Sequence, residues 1–99
     1  MKHYNLKIFG RVQGVGFRFM AMEAAYKYQI MGYVKNVKDG SVYLEAEGME
    51  DNLRRFLEWC QSGVLRARVE RIEVEEGVLK DYKSFDIQRS STSLFEKYL

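Results

Sequence analysis

Proline is absent from the 99 residues, and there is one cysteine, Cys60, and one histidine, His3. With no proline to set turns, nearly all the loop chemistry falls to 8 glycines. A lone cysteine excludes an intramolecular disulfide framework and any cysteine-based zinc site. It fits a reducing compartment. Long apolar runs are missing too. The N-terminal residues alternate polar and apolar, without the roughly 7–15-residue apolar stretch of a signal peptide. Nothing approaches the ~18 apolar residues needed to cross a bilayer. The expectation is a soluble, cytoplasmic protein, monomeric and without membrane contact. The chain also has no length to spare. It makes one small domain, since single cores span roughly 50–200 residues.

The composition that remains is globular: 46% hydrophobic, 14% aromatic and 30% charged. Net charge is only +2, but it is unevenly spread. Residues 1–40 carry seven Lys/Arg and two acids, while residues 41–99 carry nine and twelve. The halves are therefore +5 and −3. Such asymmetry points to an anionic partner near the N-terminal half, set against the simpler reading of solvated surfaces.

Tyr4, Leu6 and Ile8 alternate with Asn5, Lys7 and Phe9, which predicts a first strand. A glycine-rich loop runs from Gly10 to Gly16. From Phe17, apolar residues recur at Met20, Ala21, Ala24 and Tyr28, the spacing of an amphipathic helix that should stop before Gly32. Residues 33–37 predict a second strand. Asp39-Gly40 is a strong hairpin signal into a third strand, Val42 to Glu47. A second helix opens at Glu50 and Asp51 with its stripe on Leu53, Phe56, Leu57 and Cys60, and stops at Gly63. Val69 to Val74 predicts a fourth strand. Its period breaks between Val69 and Ile72, which suggests a bulge. Phe85 to Gln88 predicts a short last strand.

This order implies an α+β, ferredoxin-like βαββαβ sandwich. Two helices should pack on one face of a largely antiparallel sheet of four to five strands. Residues 1–89 are expected to form the single domain and residues 90–99 a C-terminal tail. That tail has apolar Leu94, Phe95, Tyr98 and Leu99, which would pack back, meet a neighbour or fray.

The loop Gly10-Arg11-Val12-Gln13-Gly14-Val15-Gly16-Phe17-Arg18 joins the first strand to the first helix. Glycines at 14 and 16 allow backbone conformations closed to other residues and leave room beside the main chain. Free N–H groups at the helix start then converge with the positive end of its dipole, a ready anion site. Arg18 in the first turn can grip the same anion with two parallel hydrogen bonds. Arg11 is a second cation nearby. The loop lacks the Gly-Lys-Ser/Thr of a Walker motif and the third glycine of a dinucleotide fingerprint. With no hydroxyl to hold Mg²⁺, it argues for anion binding without metal. A tight strand–helix turn with an exposed arginine is the plainer reading of the loop taken alone.

These residues carry a resemblance. The segment Gly10 to Arg18 is similar to the signature of the acylphosphatase family. So are Gly32-Tyr33-Val34-Lys35-Asn36, Asp39-Gly40-Ser41-Val42 and Glu47-Gly48. The likeness runs from about residue 4 to 89. It implies the fold already read from periodicity, and hydrolysis of acyl phosphates to a carboxylate and inorganic phosphate. Position by position, it implies that Arg18 binds phosphate and Asn36 orients the attacking water. It also implies that backbone N–H groups of Gln13, Gly14, Val15, Gly16, Phe17 and Arg18 cradle the phosphoryl oxygens. No cofactor or metal is implied. Inorganic phosphate would be product and competitive inhibitor. Two departures stand out: Tyr33 where tryptophan is common, and no proline after the second helix at Ser62-Gly63-Val64.

The chemistry is coherent without the family name. An acyl phosphate is a mixed anhydride with a good leaving group, so positioning and charge stabilisation suffice. An asparagine amide cannot act as a base near neutral pH, so the substrate phosphate is the expected proton acceptor. His3 reads as a solvated strand-end residue and Cys60 as core. The carboxylates of Glu73, Glu75 and Glu76 read as a face turned to water. RNA-recognition modules share this element order, but their stacking aromatics belong on strand three. Here that strand carries one aromatic and two acids, which is wrong for phosphate. Nucleic acid is therefore not expected as a partner. A non-catalytic anion sensor stays open until turnover is measured.

Overall fold

A computed structural model describes residues 1–89. The expected tail, residues 90–99, lies outside the described residues. The elements are β1 (Lys2–Arg11), α1 (Phe17–Lys27), β2 (Met31–Asn36), β3 (Val42–Gly48), α2 (Glu50–Ser62), β4 (Arg68–Gly77) and β5 (Phe85–Ile87). They form one five-stranded sheet in the order β4-β1-β3-β2-β5. β1 pairs antiparallel with β3 and β4, and β2 pairs antiparallel with β3. Only β5 is parallel to its neighbour, β2. The sheet is therefore mixed, and the expected α+β arrangement holds with five strands.

Register follows from which side chains must leave water. Leu6 stands opposite Leu44, and Leu44 opposite Val34. All three are essentially inaccessible, and they meet Phe17, Ala21, Leu53, Phe56 and Cys60 from the helices. A one-residue slip would turn this entire row outward. Truncating Leu44 to alanine would cost about 2–5 kcal/mol by the usual scale for buried leucines. The next row along the sheet is Ile8, Val42 and Asn36. Asn36 thus shares the helix-covered face and lies at its end.

Several local expectations change. The bulge in β4 is real: Phe9 pairs with Arg71 and Gly10 with Val69, leaving Glu70 as the extra residue. The buried face of α1 is Phe17, Ala21, Ala24 and Ala25. Met20 is exposed and Tyr28 only half-buried, because small alanines let the helix approach where bulkier side chains would hold it off. Gly32 does not stop α1. The chain turns at Gln29, with φ 59°, and Gly32 lies inside β2 with φ 144°. A Cβ there would sit 1.8 Å from the carbonyl oxygen of Glu45, so the close approach of β2 to β3 requires glycine. After α2, the Gly63 N–H donates to the Trp59 carbonyl, and a Cβ at Gly63 would run into the Trp59 indole.

His3 is not solvated. It is 1% exposed, with Nδ1 2.8 Å from Glu47 Oε2 and Nε2 2.7 Å from Asn5 Oδ1. It belongs to a polar layer on the sheet face away from the helices. The segment from residue 78 to 84 crosses this face on its way to β5. Glu47 accepts from the N–H groups of Lys80 and Tyr82. Glu45 accepts from the hydroxyls of Tyr33, Tyr43 and Tyr82 and from Lys80 Nζ. Tyr33 serves this layer, through its hydrogen bond to Glu45, and does not line the site.

Candidate active site

The loop between β1 and α1 is held from both sides. Val12 is buried and Val15 packs against the core. Gln13 Nε2 donates to the carbonyls of Val37 (2.7 Å) and Ser41 (2.8 Å), stapling the loop to the β2–β3 turn. That turn is itself fixed, since Asp39 Oδ1 accepts from the Ser41 N–H at 2.9 Å and from its hydroxyl at 2.5 Å. These bonds, with Lys7 beside it, pull the Asp39 carboxyl down to about 2. Gly14 and Gly16 have φ 74° and 79°, left-handed values that side chains disfavour by about 1–2 kcal/mol. A Cβ on either would meet nothing within 4 Å, so both face open space.

Gly16 is the cap of α1, with no side-chain capping bond and no acid in the first turn. The first helical bond runs from Met20 N–H to the Gly16 carbonyl. Among the described residues, N–H groups from Gly14 to Phe19 make no hydrogen bond. Helix starts are ordinarily capped by a side chain. Leaving this one uncapped keeps its donors and positive dipole end available to an anion. No carboxylate pairs with Arg18 among the described residues.

A depression of about 220 Å³ lies at this point. Gly14, Gly16, Phe17, Arg18 and Asn36 line it together with Val12, Phe19 and Ile87. Five of the expected site residues are thus brought together, with Asn36 supplied by the end of β2. Gln13 and Val15 do not line it: one side chain goes to the β2–β3 turn and the other to the core. Nor does Arg11. A larger cavity of about 900 Å³ lies at the far end of α1, among Met22, Tyr26, Ile30 and Phe85. It has no comparable convergence of N–H donors and guanidinium, so the smaller depression is the candidate site. Gln13's side-chain staple and the walls Phe19 and Ile87 were not legible in sequence. The staple spans 24 and 28 residues, and Ile87 arrives only through parallel pairing of β5.

Residues 4–87 match the acylphosphatase family. An acylphosphatase of Geobacillus thermodenitrificans is 42% identical over 88 residues, covering 88% of this chain and 94% of the relative. One from Thermotoga maritima is also 42% identical over 88 residues, covering 89% and 98%. The crystal structure of acylphosphatase from Bacillus subtilis superposes with a TM-score of 0.86 at 39% identity, covering 89% of this chain and 99% of that one. The chain belongs to the acylphosphatase family, hydrolases that act on acyl phosphates.

Proposed function

We propose that this depression is the catalytic site, with Arg18 and the N–H groups of the Gln13–Arg18 loop holding the phosphoryl oxygens and Asn36 holding the water. The observation that carries it is the convergence on a single depression of N–H groups and a guanidinium without partners among the described residues, together with Asn36. Charge-assisted hydrogen bonds of this kind are worth roughly 1.5–3 kcal/mol each.

The water oxygen attacks phosphorus in line, and the bond from phosphorus to the carboxyl oxygen breaks. The electron pair leaves with the carboxylate. The amide carbonyl of Asn36 accepts one hydrogen bond from the water and aims it. A phosphoryl oxygen takes the water proton, because no side chain among those lining the site is a base near neutral pH. Acyl phosphates of small molecules are the substrates, and inorganic phosphate is product and competitive inhibitor. The reaction needs no metal, a reading supported by a loop without hydroxyl or carboxylate. We place the protein in the cytoplasm as a monomer whose catalytic unit is residues 1–89. The free, buried Cys60 fits a reducing compartment, and burial pushes its thiol up, away from reactivity.

Phosphate release from benzoyl phosphate tests the assignment. Arg18→Gln should abolish turnover and weaken inhibition by inorganic phosphate, and a chelator should leave the rate unchanged. An active Arg18→Gln variant with normal phosphate inhibition would remove Arg18 from the site. Phosphate binding by the wild-type chain without turnover would make it an anion sensor.

A further inference from the structure

Two large apolar side chains at the mouth of the depression have no part in holding phosphate. Phe19 follows Arg18 in the first turn of α1 and is 56% exposed, and Ile87 closes β5 and is 40% exposed. Singly exposed apolar residues are ordinary. These two come from different elements that pack against each other, and they meet on one depression with Arg18 and Asn36. Apolar walls around a few placed polar groups are the usual make-up of a small-molecule site.

A substrate of the reaction above has two chemically different ends. The N–H groups and Arg18 account for the phosphoryl end. Among the described residues, Arg18 is the only charged side chain lining the depression. Once it is engaged, no cation remains there for a second anionic group. An aryl or alkyl acyl group would cover apolar surface on Phe19 and Ile87, which is favourable in proportion to area. A carboxylate or second phosphate at the same place would lose water without gaining a partner.

We propose that Phe19 and Ile87 form an acyl-side subsite that selects acyl phosphates with an uncharged aryl or alkyl acyl group over those with an anionic one. The subsite rests on the assignment of the phosphate end to the loop and Arg18.

The test compares kcat/KM for benzoyl, 4-carboxybenzoyl and acetyl phosphate, with inorganic phosphate inhibition as the report on the phosphate end. The wild-type chain should favour benzoyl over 4-carboxybenzoyl phosphate by about tenfold, the low end of what an apolar pocket discriminates. Phe19→Ala and Ile87→Ala should each lower the benzoyl-to-acetyl ratio by about 5–10-fold, while phosphate inhibition shifts less than about twofold. Ile87→Lys should move the preference towards 4-carboxybenzoyl phosphate, by charge pairing in place of an apolar wall. Both positions are partly exposed, so a thermal melt checks that each variant folds. Equal wild-type rates on the charged and uncharged aryl substrates would overturn the subsite, as would unchanged ratios in both alanine variants. Either result would leave the phosphate end standing. Failure of the wild-type chain to release phosphate from any of the three would overturn the catalytic reading and the subsite with it.

Discussion

Asn36 ends β2 in the same cross-strand row as Val42 and Ile8. Its neighbours along that row are apolar and buried, yet its amide reaches the depression that Arg18 lines. Asparagine is disfavoured in strands, so its position on a helix-covered face argues for a task that valine could not perform. Under the proposed mechanism the amide orients water and does not hold phosphate. Asn36→Ala should therefore lower kcat by roughly 10²–10³, the effect of losing one preorganised polar group. Inhibition by inorganic phosphate should change little. Steady-state kinetics with phosphate as inhibitor separates the two, and near-normal turnover would show that another group holds the water.

At the scale of elements, the site is a junction of three pieces: the β1–α1 loop, the end of β2 and the end of β5. The Gln13 side chain ties the first to the second through the Val37 and Ser41 carbonyls. It does not line the depression, so it acts by positioning. Gln13→Ala should leave those two carbonyls without this donor and cost about 1–3 kcal/mol of stability. Because the loop would then drift relative to Asn36, turnover should fall more than tenfold even at saturating substrate. Gln13→Glu, whose carboxylate cannot donate and would repel both carbonyl oxygens, should lose at least as much as the alanine variant. Chemical denaturation and kcat measured on both variants check this. Loss of stability with unchanged kcat would reduce Gln13 to a purely structural tie.

The whole molecule closes around two layers, an apolar one under the helices and a polar one under the 78–84 segment. The polar layer depends on Glu45 and Glu47, which are 4% and 1% exposed. Burial alone would raise the Glu45 carboxyl. Hydrogen bonds from Tyr82, Tyr43, Lys80 and Tyr33 outweigh it and hold the group down at about 2, from an ordinary 4.5. Glu47 is likewise lowered: its burial is outweighed by the Lys80 N–H, His3 and the Tyr82 N–H. A lowered folded-state value means stability that is fully present above about 4.5 and lost as pH falls towards 2. For Glu45 that amounts to roughly 3 kcal/mol. At the alkaline end the sign reverses. Burial and the Glu45 hydrogen bond push the Tyr33 hydroxyl up to about 12, so stability falls once the unfolded chain ionises its tyrosines above about 10. Urea denaturation against pH should show a plateau between about pH 5 and 9.5, with losses on both sides. In Glu45→Gln the plateau should drop and the acid limb flatten. A second expectation belongs to this scale. The buried hydrophobic core of the described chain is drawn from Leu6 to Val64, with Phe85 packed against it. If residues 1–89 are the catalytic unit, as proposed, a chain ending at Arg89 should keep its fold and turnover, as a melt and a benzoyl phosphate assay would show.

Local order was legible in the residues themselves. Period-two alternation placed four long strands, helical spacing placed α1 and α2, and Asp39-Gly40 placed the hairpin, because these signals act between near neighbours. The glycine loop and Arg18 were legible for the same reason: one short segment carries the turn, the free donors and the charge. Tertiary structure decided what depends on distant partners. It buried His3, Glu45 and Glu47, which any count of polarity would leave in water, because the 78–84 segment brings N–H groups, Tyr82 and Lys80 across the open face to join Tyr33 and Tyr43 in satisfying them. It put Gly32 inside a strand, because β3 lies too close for a side chain. It also set β5 parallel to β2, bringing Ile87 to the mouth of a site that begins some 70 residues earlier. Sequence by itself determined the fold class and the glycine loop proposed to bind phosphate. Which walls surround that loop was decided only when pairing between distant strands brought them together.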